Sequence, residues 1–323
     1  MNKTQLFNFF FADYCRIIII TFVIFGLILF LIVLYKAFSN KKSNFNLLFI
    51  VMVNVILCSI LSASSYLLNW VIFYKDNHPK LLFGNEKSIL CKAQSILIGY
   101  FVTSRESLLT SITIIVFINY KNGDTEKNIY KFLIFAYSYL IPVCSNFIAY
   151  HCDSFGISDL FCFYARNHSG NIFLTIHLVY LIILLLLNLS LVLIIMIMDY
   201  YHAKPYKEWL DDENSDSGFS LTNSAIKKII LFPIGQLSTL TFVFIYRFGN
   251  ENGHFDNDIT LGRIATMANA LSSILYSIIF IISNNMMIRE TTITENRTKS
   301  IMESDILTEE ENMESASLEM NAK

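Results

Sequence analysis

The sequence predicts an all-α membrane protein: a seven-transmembrane helix bundle with its N-terminus outside the cell and its C-terminus in the cytoplasm. Of the 323 residues, 54% are hydrophobic and 15% are charged, and the mean hydropathy is +0.51. Soluble domains carry about a quarter charged residues, so this composition indicates a lipid bilayer as the surroundings. The net charge of −2 gives no indication of a nucleic-acid partner.

Seven continuous apolar segments approach or exceed the length of about 20 residues that a helix needs to cross a bilayer. In chain order they are Ile17–Tyr35, Leu47–Phe73, Ile89–Tyr120, Phe132–Tyr150, Ile172–Met198, Ile229–Tyr246 and Ile264–Ile282. Residues 1–16 are then a short extracellular N-terminus and residues 17–285 are the bundle. Residues 286–323 are predicted to be a disordered cytoplasmic tail, because they are polar and rich in Ser and Thr.

The distribution of Lys and Arg favours this orientation, since cytoplasmic loops carry an excess of both. Thirteen basic residues fall inside: Lys36, Lys41, Lys42, Lys121, Lys127, Lys131, Lys204, Lys207, Lys227, Lys228, Arg289, Arg297 and Lys299. Eight fall outside: Lys3, Arg16, Lys75, Lys80, Lys87, Arg166, Arg247 and Arg263. Asn2 and Asn167 begin Asn-X-Ser/Thr triplets on the outer side, so both are candidate glycosylation sites.

Two of the six cysteines lie on the outer side of the bundle, where a disulfide could connect a loop to a helix. Cys91 is at the outer start of the third span, and Cys162 is in the second outer loop. A bridge between them would hold that loop over the bundle in an oxidising compartment. Cys152 is a competing partner for Cys91, and the sequence leaves the choice open.

No pattern typical of a membrane enzyme or a retinal protein occurs in the spans. The last span has no lysine for a Schiff base, and paired intramembrane aspartates are missing. Of the six histidines only His177 lies well inside a span, where a single histidine usually hydrogen-bonds a neighbouring helix. We therefore expect neither catalysis nor a cofactor nor a metal site.

Arg105 and Glu106 are the clear intramembrane charges. Arg105 follows Cys91 by 14 residues, or about 21 Å along a helix, which places it near the middle of the bilayer. Adjacent helix positions point about 100° apart, so the two need not pair, and we expect partners for each on neighbouring helices. Ligand contact or an activation lock is one interpretation, and a structural network between helices is the other.

Pro142 and Pro233 interrupt the fourth and sixth spans, because proline removes a backbone hydrogen bond. Pro233 lies near the cytoplasmic end of the sixth span and is a candidate hinge, with a static kink as the alternative.

Three stretches carry a resemblance to a known family. The second outer loop contains Phe161-Cys162-Phe163, the sixth span begins with KKIILFPI at 227–234, and the seventh contains ALSSILYSIIF at 270–280. With seven spans and an outer N-terminus, these stretches resemble G-protein-coupled receptors. More narrowly, residues 12–290 resemble the slime-mould cyclic-AMP receptor class and its fungal sugar-sensing relatives.

The chain also departs from related patterns. Asn119-Tyr120-Lys121 replaces the Asp-Arg-Tyr of rhodopsin-like receptors, which argues against that class. The Arg105–Glu106 pair is a departure from the cyclic-AMP receptor pattern and argues against cyclic AMP as the ligand.

The resemblance implies a multi-pass plasma-membrane receptor that binds an extracellular ligand and activates a heterotrimeric G protein through movement of the sixth helix. Lys121, Lys227 and Lys228 would line the cytoplasmic coupling cleft. Phosphorylation of the tail would bring kinase and arrestin-like partners, with an unregulated tail as the alternative. The alternative function is a small-solute transporter, although the first three and last three spans show no convincing repeat.

Overall fold

The computed structural model describes residues 3–39, 47–68, 71–75, 78–81, 88–121, 127–158, 161–165, 167–209, 231–246 and 262–282. Within these ranges the helices are α1 (Lys3–Ser39), α2 (Leu47–Ser65), α3 (Ile89–Tyr120), α4 (Asn128–His151), α5 (His168–Trp209), α6 (Leu231–Tyr246) and α7 (Gly262–Ile282). The strands are β1 (Val71–Lys75), β2 (His78–Leu81), β3 (Phe155–Ser158) and β4 (Phe161–Tyr164). Met1–Phe280 belong to one compact unit. The second unit, Ile281–Lys323, is described only at the last two residues of α7.

Six of these helices are long and apolar enough to cross a membrane, so the fold is that of a helical multi-pass membrane protein. The exception among the described helices is α6, which spans about 24 Å at 1.5 Å per residue. Six of the seven predicted spans therefore have the required length. The predicted extracellular segment 1–16 largely coincides with the beginning of α1, which starts at Lys3.

The predicted second span was too long at its C-terminal end. Helix α2 ends at Ser65, and Val71–Lys75 form strand β1, which pairs antiparallel with β2. A short apolar run rich in β-branched and aromatic residues does not distinguish strand from helix by itself. Here the antiparallel pairing with His78–Leu81 makes this run a strand.

Helix α3 has the predicted bounds and is the central helix of the described bundle. Ser88 caps its N-terminus, where the hydroxyl oxygen accepts a hydrogen bond of 3.2 Å from the backbone N–H of Cys91. In its most apolar stretch, 72% of the residues are buried, against 17% in the corresponding stretch of α1. Helices α2, α5 and α7 and strands β3 and β4 all contact α3.

Helix α4 contains a wide turn next to its proline. Residues Ala136–Leu140 form a π-helical turn, and the α-helical segment that follows begins at Ile141 with Pro142 as its second residue. Proline has no N–H for the carbonyl one turn earlier, and a π-turn rearranges the hydrogen bonds at that point. The predicted interruption of the fourth span is present in this form.

Helix α5 divides into two faces. The residues that contact α3 are spaced three and four positions apart, as one face of a helix requires: His177, Tyr180, Leu184 and Asn188. The Leu184 contact is made by its backbone carbonyl, which accepts a hydrogen bond from Thr110. The other face exposes large apolar side chains of the kind that lipid solvates: Ile176, Val179, Ile183, Leu186 and Leu193.

Candidate functional site

The β3–β4 hairpin covers one end of the bundle, which we call the hairpin end. Its strands pair antiparallel, with Ile157 opposite Cys162, and all eight strand residues are buried. A disulfide joins Cys162 to Cys91 at the start of α3, while Cys152 is a free, exposed thiol. The choice that the sequence left open is thereby settled in favour of Cys162.

Gln94 connects the hairpin to the end of α2. Its side-chain oxygen accepts a hydrogen bond of 3.1 Å from the backbone N–H of Cys162. Its side-chain nitrogen donates to the carbonyls of Ser65 and Tyr66 at 3.1 and 3.2 Å. A fully buried glutamine that satisfies three backbone groups fixes their relative positions, and this includes Tyr66.

The hairpin is also held at its edge. Lys92 forms an ion pair of 3.1 Å with Asp153, whose backbone φ of 52° makes a tight turn after α4. Gly170 lets the start of α5 approach Ala165, since a Cβ there would lie 2.1 Å from the Ala165 carbonyl oxygen. Burial raises the pKa of the Tyr164 phenol above its usual value.

A cavity with about 670 Å³ of empty space, its open mouth included, lies beneath this hairpin. Residues from the end of α2, from α3, from the hairpin and from α5, α6 and α7 line it. They are Tyr66, Ile98, Val102, Ser158, Phe161, Phe163, Leu174, His177, Leu178, Leu181, Leu240, Val243, Tyr246, Gly262, Ala265, Thr266 and Asn269. Ligand sites in proteins are concave and mostly apolar, with a small number of polar groups, so the lining fits a binding site.

Aromatic rings form part of the cavity wall. Tyr66 and Phe161 meet edge to face with ring centroids 4.9 Å apart. Phe163 meets His177 in the same manner at 5.5 Å. The Nδ1 atom of His177 lies 3.4 Å from the Thr103 hydroxyl on α3. His177 therefore acts in helix packing, as expected, and also borders the cavity.

Arg105 and Glu106 are fully buried and pair with each other. The guanidinium Nε donates to Glu106 Oε1 at 2.7 Å, and Nη2 donates to the same oxygen. Arg105 also donates to two α7 side chains, at 2.7 Å to Ser272 Oγ and at 2.9 Å to Asn269 Oδ1. We call these four residues the Arg105 network.

This geometry refines the sequence expectation for the pair. Arg105 has the predicted partners on a neighbouring helix, but its long side chain also turns back to Glu106. The second carboxylate oxygen of Glu106, Oε2, accepts no hydrogen bond from the described residues. Tyr276, fully buried on α7, lies within electrostatic range of both charges. Neither charged residue lines the cavity.

Asn269 belongs to both the cavity and the Arg105 network. It is part of the cavity wall, and its Nδ2 donates to the Tyr66 hydroxyl at 2.5 Å. Its Oδ1 accepts the hydrogen bond from Arg105. A molecule in the cavity would therefore contact a residue that holds α3 to α7.

A second polar cluster joins three helices further along α3. Thr113 donates to Asn188 of α5, and Asn188 donates at 2.7 Å to Gln236 of α6. Pro233 is buried in the first turn of α6 as described, one turn before Gln236. The chain from residue 210 to residue 230 lies outside the described residues, so the role of Pro233 as a hinge stays a prediction.

The remaining predicted residues are not brought together. Lys121 is exposed at the C-terminal cap of α3. Lys227, Lys228 and Asn2 lie outside the described residues, as does the tail after 282. Asn167 is exposed at the start of α5, where its side-chain oxygen accepts a hydrogen bond of 2.6 Å from Gly170.

The described part of the chain contains no group of three or more His, Cys, Asp or Glu side chains that could hold a metal ion. Neither known protein families nor curated protein sequences match this chain. The site is therefore interpreted from its own geometry.

Sequence reasoning missed Gln94, Asn188 and Asn269. Each is a neutral amide inside an apolar span, and such groups need hydrogen-bond partners where water is absent. That signal is visible in the sequence, but it does not name the partner.

Proposed function

We propose that this protein is a seven-helix receptor of the G-protein-coupled kind, with α6 as the additional span and the hairpin end facing outwards. Its ligand would occupy the cavity, and its signal would leave at the opposite end of the bundle, near Lys121. The resemblance of three sequence stretches to the cyclic-AMP receptor class supports this proposal.

The observation that carries the proposal is the double role of Asn269. A ligand that rearranges Asn269 would change its hydrogen bond to Arg105 and thus the connection between α3 and α7. A ligand shifts a conformational equilibrium only through contacts that differ between the two states. A wall residue bonded to a buried charge pair provides such a contact.

Transmission to the opposite end would use the second polar cluster. Asn188 connects α3 and α5 to Gln236, close to Pro233. Release of these bonds would free the end of α6 to move about Pro233 and open a cleft lined by Lys121, Lys227 and Lys228. Membrane hydrogen bonds of this kind are worth about 1 kcal/mol each, which is small enough to be broken and re-formed during signalling.

The test is guanine-nucleotide exchange on co-reconstituted heterotrimeric G proteins by the full chain in nanodiscs. We expect Pro233→Ala and a Lys227→Ala/Lys228→Ala double variant to reduce exchange, and Leu186→Ala on the lipid-facing side of α5 to leave it unchanged. If neither variant lowers exchange, the proposed coupling mechanism is wrong.

Two further measurements examine the rest of the proposal. Solute flux in proteoliposomes without exchange activity would favour the transporter alternative. Loss of a glycan after Asn167→Gln would support an outward hairpin end, because glycan transfer occurs on the luminal side.

A further inference from the structure

The cavity is lined by apolar, aromatic and neutral hydrogen-bonding side chains. Its polar groups are hydroxyls, an amide and an imidazole, which belong to Tyr66, Ser158, Tyr246, Thr266, Asn269 and His177. None of the described lining residues is Lys, Arg, Asp or Glu. Burying a charged ligand group against such a wall is unfavourable, since none of the described lining residues brings an opposite charge to compensate for the lost hydration.

Two buried arginines, Arg105 and Arg263, are not among the lining residues. Arg105 donates hydrogen bonds to Glu106 and to Ser272 of α7. Arg263 lies between lining residues of α7 in sequence but does not line the cavity. Positions 262, 265, 266 and 269 share one face of α7, whereas position 263 is on another.

We propose that the cavity binds an uncharged, ring-containing, largely apolar molecule that carries a neutral hydrogen-bonding group. The edge-to-face pairs Tyr66–Phe161 and Phe163–His177 offer ring faces and edges to such a ligand. Its hydrogen-bonding group would lie at the Tyr66–Asn269 pair. This inference rests on the proposed function in taking the cavity as the receptor's ligand site, and it gives that ligand a chemical class.

Binding of a matched pair of probes to the purified full chain in nanodiscs tests this class without a G protein. The probes are 1-naphthalenemethanol, which is neutral, and 1-naphthoate, which has the same ring system and a negative charge. Cyclic AMP is the third compound. Equilibrium dialysis measures bound probe, and empty nanodiscs supply the correction for partition into lipid.

We expect saturable binding of 1-naphthalenemethanol with a Kd on the order of 100 µM or tighter, given the affinity that each non-hydrogen atom usually supplies. Naphthoate should bind at least about tenfold more weakly, and cyclic AMP should not displace the neutral probe. Equal or tighter binding of naphthoate or of cyclic AMP would overturn the proposal. So would the absence of saturable binding of the neutral probe, because apolar cavities bind small apolar molecules even without evolved specificity.

A cavity-filling variant establishes where the probe binds. Ala265→Trp places an indole in the cavity and should weaken binding of the neutral probe at least about tenfold. Leu186→Trp, on the lipid-facing side of α5, is the matched control and should bind as the wild type does. Unchanged binding by folded Ala265→Trp would contradict the assignment. If Ala265→Trp does not fold, the comparison of probes on the wild-type chain decides the question alone.

The two proposals can fail separately. Selective binding of the neutral probe without nucleotide exchange would refute the receptor function and leave the ligand class intact. Exchange activity together with preferential binding of the anions would do the reverse.

Discussion

Helices α3 and α5 are both long enough to cross a bilayer, but α3 is mostly buried in protein and α5 is mostly exposed. In the most apolar stretch of each helix, 72% of the residues are buried in α3 and 33% in α5. Helix α3 has the lowest mean hydropathy of the six spanning helices, and α5 is among the most apolar. Within this pair, the less apolar helix is the buried one and the more apolar helix faces lipid.

The polar side chains of α3 are tolerated because most of them bond within the helix or to its neighbours. Ser95, Thr103, Ser107 and Ser111 each donate to the carbonyl four residues earlier. Backbone and hydroxyl groups in a bilayer must find partners inside the protein. In α5, His177, Tyr180 and Asn188 lie on one stripe that contacts polar groups of α3.

The largest effect should come from the charge pair of α3. Glu106→Leu leaves the Arg105 guanidinium buried without a counter-charge, and we expect a loss of about 3–5 kcal/mol in the free energy of unfolding. SDS-induced unfolding in mixed micelles measures it. The Arg105→Met/Glu106→Leu double variant should recover more than half of the loss. A double variant as unstable as the single one would mean that desolvation of the unpaired charge is not the cause.

The next largest effect on stability should come from the disulfide that joins α3 to the β3–β4 hairpin. Cys91→Ser opens a bridge between positions 71 residues apart, and we expect a loss of about 2–4 kcal/mol. The control is Cys152→Ser, which removes a free, exposed thiol and should change nothing. Thermal unfolding with and without reductant compares the two. Equal destabilisation by both variants would point to disulfide exchange between the two candidate pairings.

The two faces of α5 offer a sharper comparison within one helix. Leu184 is 1% exposed and Leu186 is 57% exposed. Leu184→Ala leaves a cavity against α3 and should cost about 1–2 kcal/mol, less than in a soluble protein, because lipid is as apolar as leucine. Leu186→Ala should stay within about 0.5 kcal/mol of the wild type. If both variants are equally stable, α5 does not pack on α3 through this stripe.

The smallest effect should come from the amide cluster. Asn188→Leu removes the bonds to Thr113 and Gln236, and we expect a loss of about 1 kcal/mol. Thr241→Val is the control, because the Thr241 hydroxyl bonds only the carbonyl of Leu237 among the contacts described. The same unfolding assay measures both. If Thr241→Val lowers the free energy of unfolding as much as Asn188→Leu does, hydrogen bonds between helices stabilise this protein no more than bonds within one helix.

The sequence predicted the parts of this fold that depend on local composition. The bounds of α3 were correct, and the Cys91–Cys162 bridge was one of two alternatives that the positions allowed. The end of α2 was wrong because pairing of β1 with β2 overrides the apolarity of Val71-Ile72-Phe73. Local composition carries no information on pairing.

The site was less predictable because it is assembled from distant parts of the chain. Arg105 and Glu106 were recognised as unusual, but the step from Arg105 to Asn269 crosses 164 positions of sequence. The cavity draws on the hairpin and on most of the helices, and no short motif contains such a site. Its neutral lining follows only from knowing which face of α7 turns inward.

The central claim is that the cavity and the Arg105 network form one signalling unit, and Asn269→Ala tests it most directly. This variant removes the Asn269 bonds to Arg105 and to Tyr66 while leaving the charge pair in place. Nucleotide exchange on co-reconstituted heterotrimeric G proteins should then change by about threefold or more without ligand, as expected for the loss of buried hydrogen bonds between helices. Basal exchange equal to that of the wild type, in a variant that is folded and inserted, would contradict the claim.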